Sequence, residues 1–274
     1  MPQIAMDALT LSQARLLAFL TCRRRFQLRY LDQLSWPDIP LVPQQRSAVE
    51  QGQKFHQLLE RFFLGLPINE LDITDRQLRM WWKSFQEFVL PLPSGRALPE
   101  LRLTVPIGRH FLTGRFDLVI IDSEKDQPLI HIYDWKTSRP RPMVELQDDW
   151  QSKLYLAMMA ESKNALIKES GMLRPEQITL TYWYVADPQT ARTITYSQKQ
   201  HEQNWAEIQE LMAEIESCLK TGLWPLTDNW SHCRSCTYWA YCGRFEAGTP
   251  QKVLAEELAR YEVDPLPFLE PESP

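Results

Sequence analysis

No apolar run in this sequence approaches the roughly 20 residues that a membrane-spanning helix requires. The nearest thing to an export signal is Leu16 to Cys22, which superficially resembles a lipoprotein cleavage site. It lacks a basic leader, Arg15 interrupts it, and Arg23, Arg24 and Arg25 follow at once, so the chain reads as cytoplasmic. Basic excess is missing too. Thirty Lys and Arg stand against 35 Asp and Glu, a net charge of −5. That balance excludes a protein that coats nucleic acid nonspecifically, although a local basic track near Arg23 to Arg25 could still guide a phosphate backbone. Cysteine is scarce and odd in number, at five, and with no export signal a disulfide framework is a poor explanation. Internal repeats and low-complexity tracts are absent. So is a Gly-x-x-x-x-Gly-Lys-Ser/Thr loop, which removes a helicase-type motor motif.

What remains is a globular composition: 274 residues, 44% hydrophobic, 24% charged and ten tryptophans. Ser12 is placed to cap a first helix. Residues 36–43 are proline-rich and read as a loop, 46–64 as a helix with Phe55, Leu58, Leu59 and Phe62 on one face, and 75–89 as another. Pro91, Pro93 and Pro99 then break regular structure. Strands are expected over 101–107, 111–121, 129–136 and 178–186, with Gly108-Arg109-His110 as a turn and Thr190 to Tyr196 pairing with the last strand. A helix over 144–168 separates the third strand from the fourth, and a long amphipathic helix covers 198–220. This order predicts an α/β fold with a central mixed sheet flanked by helices, as one domain. Its core spans about 46–196, a lobe is formed by about 7–34 and 198–260, and 261–274 is a tail.

Two apolar strands end abruptly in charge. Asp117 closes Gly114-Arg115-Phe116-Asp117, and Asp134 and Lys136 close the next strand in Asp134-Trp135-Lys136-Thr137. Strand alternation puts Asp134 and Lys136 on one face, and a hairpin would bring Asp117 beside them. Two carboxylates and a lysine at one sheet edge suit metal-assisted phosphodiester hydrolysis: hard oxygens for Mg²⁺ or Mn²⁺, and a cation to orient water or meet charge on phosphate. His56 lies on a helix in Gly52-Gln53-Lys54-Phe55-His56. Gln151 and Tyr155, four apart, share a helix face.

The cysteines form a second set. Cys233, Cys236 and Cys242 follow a C-x₂-C-x₅-C spacing, and Cys22 stands far upstream. Thiolates suit zinc or an iron–sulfur cluster. Cys218, on the amphipathic helix, reads as a buried apolar residue. His232 adjoins Cys233 and reads as a surface residue.

The ordered set Gly52-x-x-x-His56, Gly114-x-x-Asp117, Asp134-x-Lys136-Thr137 and Gln151-x-x-x-Tyr155 resembles the RecB-type exonuclease branch of the PD-(D/E)XK nuclease superfamily. The resemblance implies a restriction-endonuclease-like core and exonucleolytic cleavage of DNA, single-stranded by preference. His56, Asp117, Asp134 and the Trp135 carbonyl would bind the metal. Lys136 would be catalytic, Gln151 and Tyr155 would contact DNA, and Glu100 would be the further acidic residue that the family often carries. One distant cysteine with a C-terminal triplet resembles the iron–sulfur clasp of these nucleases, which implies a [4Fe–4S] cluster on Cys22, Cys233, Cys236 and Cys242 where zinc is the alternative. Relatives of this kind include CRISPR-associated exonucleases and the AddB nuclease domain. The implied setting is therefore spacer acquisition beside CRISPR integrase proteins, or else DNA repair with a helicase or recombination complex. A scaffold subunit with a silent site is the competing class.

Overall fold

The computed structural model describes residues 8–35, 43–89, 92–122, 127–162, 166 and 173–245. Its elements run β1 (Thr10–Leu11), α1 (Gln13–Thr21), α2 (Arg23–Phe26), a π turn over Gln27–Leu31, α3 (Pro43–Phe63) and α4 (Arg76–Val89). Next come β2 (Arg96–Ile107), β3 (His110–Asp122), β4 (Leu129–Lys136), α5 (Met143–Asp148) and α6 (Trp150–Glu161). The chain continues with β5 (Ile178–Tyr184), β6 (Asp187–Thr195), α7 (Gln198–Thr221) and α8 (Ser231–Arg234). Strands β2 to β6 lie in sequence order, and β1 joins the sheet alongside β3. β1–β3 and β4–β5 are parallel, while β2–β3, β3–β4 and β5–β6 are antiparallel, so the sheet is mixed as expected.

Local chemistry explains where the observed elements depart from the expected ones. Strand β2 starts at Arg96 rather than 101 and runs straight through Pro99. Among the described residues it pairs with β3 alone, so Pro99 falls on an edge strand, where a missing N–H is best tolerated. His110 belongs to β3 rather than the turn, and its Nδ1 accepts the Leu9 N–H at 2.9 Å, which anchors β1. The single helix expected over 144–168 is two, because Asp149 is extended and caps the second through a 2.7 Å bond from the Gln151 N–H. Residues 163–165, 167 and 168, like most of the loop expected at 36–43 and the tail from 261, lie outside the described residues. The Ser12 cap, the long helix α7 and the β5–β6 pairing stand as expected.

The sheet is buried on both faces. On one, Leu112, Phe116, Val119, Ile121, Ile130 and Ile132 pack with α1, α6 and α7 through Phe19, Leu154, Met158 and Ile208. On the other, Leu118, Ile120, Tyr133, Trp135 and Trp183 pack with α3 and α4 through Phe55, Leu59, Trp82 and Phe85. Strand alternation should hold one parity on one face. In β3 it does not: Leu112 and Phe116 share a face with Val119 and Ile121. In β2, Leu98 likewise shares that face with Leu101 and Leu103. Both strands slip phase at the same level, between Pro99 and Leu101 and between Phe116 and Leu118. Glu100 sits in that slip with φ +50°, a left-handed conformation costly for a residue with a side chain.

Candidate active site

Strand β3 shares its second edge between two partners. Phe111 and Leu112 pair with β1, and Leu118 to Asp122 pair with β4. Between them the sheet forks. The β3–β4 ladder stops at Leu118 and Tyr133, so the next residues in register are Asp117 and Asp134. The Trp135 N–H donates to Asp117 Oδ2 at 2.8 Å, a side chain where the ladder would have used a carbonyl. A pocket of about 780 Å³ opens in this fork, walled by Ser12, Gln13 and Leu17 of α1, His56, Arg115, and Gln151 and Tyr155 of α6.

The expected residues converge here. Lys136 Nζ lies 2.7 Å from Asp134 Oδ2 and donates to Gln151 Oε1 at 2.9 Å. Gln151 Nε2 in turn donates to Asp134 Oδ1 at 2.7 Å, closing a three-residue ring. His56 Nδ1 stands 3.3 Å from Asp117 Oδ1. Ligand atoms of His56, Glu100 and Asp117 fall within 4.8 Å of one another. Arg115 Nε lies 3.1 Å from Glu100 Oε2 as an ion pair. The Trp135 side chain is buried among aromatics, stacked on Phe63 and Tyr133, so only its backbone reaches the site. Tyr155 differs from a residue held free for DNA. Its hydroxyl donates to the Arg115 carbonyl at 2.7 Å and its ring packs on Phe116, so it fixes the strand that presents Arg115 and Asp117.

Gly52, one turn before His56, has a local reason. A Cβ there would come within 3.1 Å of Thr137 Oγ1. The glycine lets α3 approach the end of β4 and bring His56 to Asp117.

The electrostatics suit a cation. Burial raises the Asp134 pKa to about 6, with Asp117 adding and Lys136 opposing. Burial raises Glu100 too, helped by Asp117 and opposed by Arg115. For Asp117 burial also pushes upward, but His56, the Trp135 N–H and Lys136 outweigh it and the pKa is lowered. Burial disfavours protonated His56 and Lys136, yet Asp117 and Asp134 respectively outweigh it and both are raised. Asp134 Oδ2 is buried and receives no aligned hydrogen bond despite the nearby ammonium. A mixed oxygen and imidazole donor set with one unsatisfied buried carboxylate oxygen fits a divalent cation of the Mg²⁺ or Mn²⁺ type.

A second, smaller pocket lies at the far end of α1. Cys22, Cys233, Cys236 and Cys242 all line it, with Arg25, His232 and Thr227. Cys22 ends α1 and begins α2, with extended backbone at φ −166°. Among the described residues no three cysteine sulfurs lie within 4.8 Å of one another. Burial raises the thiols of Cys233, Cys236 and Cys242, the last to about 11, while Arg244, Arg25 and Arg24 respectively pull downward. Cys218 is buried apart from this pocket, against the main core. His232 is not a plain surface residue: its Nδ1 lies 3.0 Å from the Thr21 carbonyl, next to Cys22. The arginine run is no continuous track either. Arg23 pairs with Glu214 at 2.6 Å, Arg24 donates to Gln27 Oε1 at 2.6 Å, and Arg25 faces the cysteines. No sequence signal separates the three, because their directions are set by α7 and the C-terminal segment.

A fold with this fork, these carboxylates and this lysine belongs to a recognisable class, and comparison with known families names it. The model of the PD-(D/E)XK nuclease superfamily matches residues 10–243, and the chain belongs to that superfamily, whose members generally work with divalent metals. Among solved structures, the crystal structure of a protein designated SSO0001 is similar at 14% identity, with 84% of each chain covered and a TM-score of 0.38, a likeness too loose to carry an argument. No curated protein matches the chain in sequence.

Proposed function

We propose that this chain is a Mg²⁺- or Mn²⁺-dependent deoxyribonuclease that hydrolyses phosphodiester bonds exonucleolytically, with single-stranded DNA as substrate. The observation that carries the reading is the closed Lys136–Gln151–Asp134 ring beside the Asp117–His56 pair in one pocket. Asp117 and Asp134 offer carboxylate oxygens, His56 an imidazole nitrogen and Trp135 a carbonyl oxygen. These donors would hold a divalent cation, which would supply polarisation of the scissile phosphate and a lowered pKa for a bound water. Lys136 is the catalytic cation. Its ammonium, held by Asp134 and Gln151, orients the attacking water or meets charge developing on phosphate. Gln151 positions Lys136 and reaches the DNA backbone. Tyr155 holds Arg115 at the pocket wall, and Glu100 adds a carboxylate beside His56. The recessed carboxylates favour a flexible single strand over a duplex.

The cysteine pocket holds a [4Fe–4S] cluster in this reading. Its donors are four thiols, the soft set that such a cluster uses. The pathway reading, spacer acquisition beside CRISPR integrase proteins with repair or recombination as the alternative, rests on resemblance to the RecB-type branch.

The test is cleavage of single- and double-stranded DNA, labelled at either end, with Mn²⁺ and with chelator. Metal-dependent shortening of the single strand from an end is expected, and Lys136→Ala should abolish it while still binding Mn²⁺. Wild-type protein that binds DNA without cutting it under any metal would make the chain a scaffold and overturn the reading.

A further inference from the structure

Among the described residues four buried side-chain polar atoms lack a hydrogen-bond partner, and they divide between the two pockets. Asp134 Oδ2 and Tyr184 Oη belong to residues of the active-site pocket. The other two are the Nε atoms of Arg25 and Arg244, at the cysteine end of the molecule. Arg25 lines the cysteine pocket. Arg244 comes from the opposite end of the described chain. Its guanidinium stacks over Trp230 at 4.2 Å, and Nη2 donates at 3.2 Å to the carbonyl of Thr227, itself a pocket residue.

A buried guanidinium N–H with no acceptor is costly, since its water is removed without replacement. Arg25 lines the cysteine pocket, and Arg244 lies close enough to Cys233 to act on its thiol, so one acceptor held by the cysteines would serve both donors. Neutral thiols accept weakly. Metal-bound thiolate and bridging sulfide carry negative charge and accept well, and charge-assisted bonds are the stronger kind. Arginine also keeps its charge in any environment, so neither side chain can relieve the cost by losing a proton.

We propose that Arg25 and Arg244 donate their Nε–H groups to sulfur atoms of the cysteine-bound cluster, one from each end of the chain. The proposal rests on the iron–sulfur reading above. It makes both arginines positioning residues that offset the negative charge of four thiolates and set the cluster's reduction potential. Hydrogen bonds to sulfur and local charge are among the determinants of that potential. Each donor favours the reduced state, which carries one more negative charge.

Anaerobically purified wild type, Arg25→Gln, Arg244→Gln and Arg25→Lys would be titrated with dithionite and redox mediators, following the visible band. At the potential where wild type is half reduced, each glutamine variant should show a reduced-to-oxidised ratio about tenfold lower, which is 59 mV for a one-electron couple. Arg25→Lys keeps the charge but not the planar donor, so it should fall between. A packing role alone would lower the melting temperature and leave the potential unmoved. Brown variants titrating with wild type overturn the proposal while the cluster reading survives. Colourless wild type containing zinc overturns both. Should Arg25→Gln lose its iron on purification, Arg244→Gln, altered at a half-exposed residue, decides the matter by the same titration.

Discussion

Replacing Asp134 with asparagine should abolish cleavage and yet stabilise the metal-free protein above neutral pH. Asp134 is 3% exposed, and burial is the main cause of its rise from 3.8 to about 6. A carboxyl whose folded pKa exceeds its unfolded value favours the fold when protonated. That contribution is complete below about 3.8 and is lost as pH rises through about 6. A shift of about two units at 1.36 kcal/mol per unit amounts to on the order of 3 kcal/mol. Asparagine has the shape of the protonated acid and no charge. In EDTA the variant should therefore gain on the order of 3 kcal/mol over wild type at pH 8, and nothing at pH 4. Urea titrations at the two pH values measure both. Added Mn²⁺ should stabilise wild type and not the variant, reversing the order. An asparagine variant equal to or weaker than wild type at pH 8 in EDTA would refute the reasoning, because the Lys136 contact would then outweigh burial.

Gly52→Ala should cut activity through displacement of His56, since its new methyl meets Thr137 Oγ1 at 3.1 Å. Adding Thr137→Ala should restore most of it, and purely additive losses in that double-mutant cycle would disprove the contact. Glu100→Gly should raise the urea midpoint, because glycine relieves a φ of +50° worth about 1 kcal/mol. A lowered midpoint would show that the Arg115 bond dominates. Cys22→Ala should yield protein without colour, with both chain ends open to protease, whereas Cys218→Ala should do neither. A brown, protease-resistant Cys22→Ala protein would remove Cys22 from the ligand set.

Much of the site was legible because its rules are local. Alternation alone put Asp134 and Lys136 on one face, whereas the four-residue spacing put Gln151 and Tyr155 on a shared helix face without saying that Gln151 meets Lys136. The fork was not legible. It depends on β1, two residues long, pairing with β3 across a wide sequence gap. The phase slip at Glu100 and Asp117 was equally hidden, because each strand alone shows only an imperfect alternation and the coincidence appears once the register is known. The break at Asp149 was readable in principle, since an aspartate two residues before Gln151 is a strong cap, but the surrounding apolar period masked it. The direction of Arg25 had no signature, for it is decided by residues more than a domain's core away in sequence.

Helix α1 touches both pockets. Its Ser12 end walls the active site and its Cys22 end lines the cysteines. Nine residues at 1.5 Å each make a strut of about 14 Å. Leu16 and Phe19, along its middle, are wholly buried and clamp it to the sheet. The protein therefore has two chemically unlike centres mounted on one short rigid axle. Neither end can swing without levering the other, so damage at the sulfur end should be felt as a loosened wall of the carboxylate pocket.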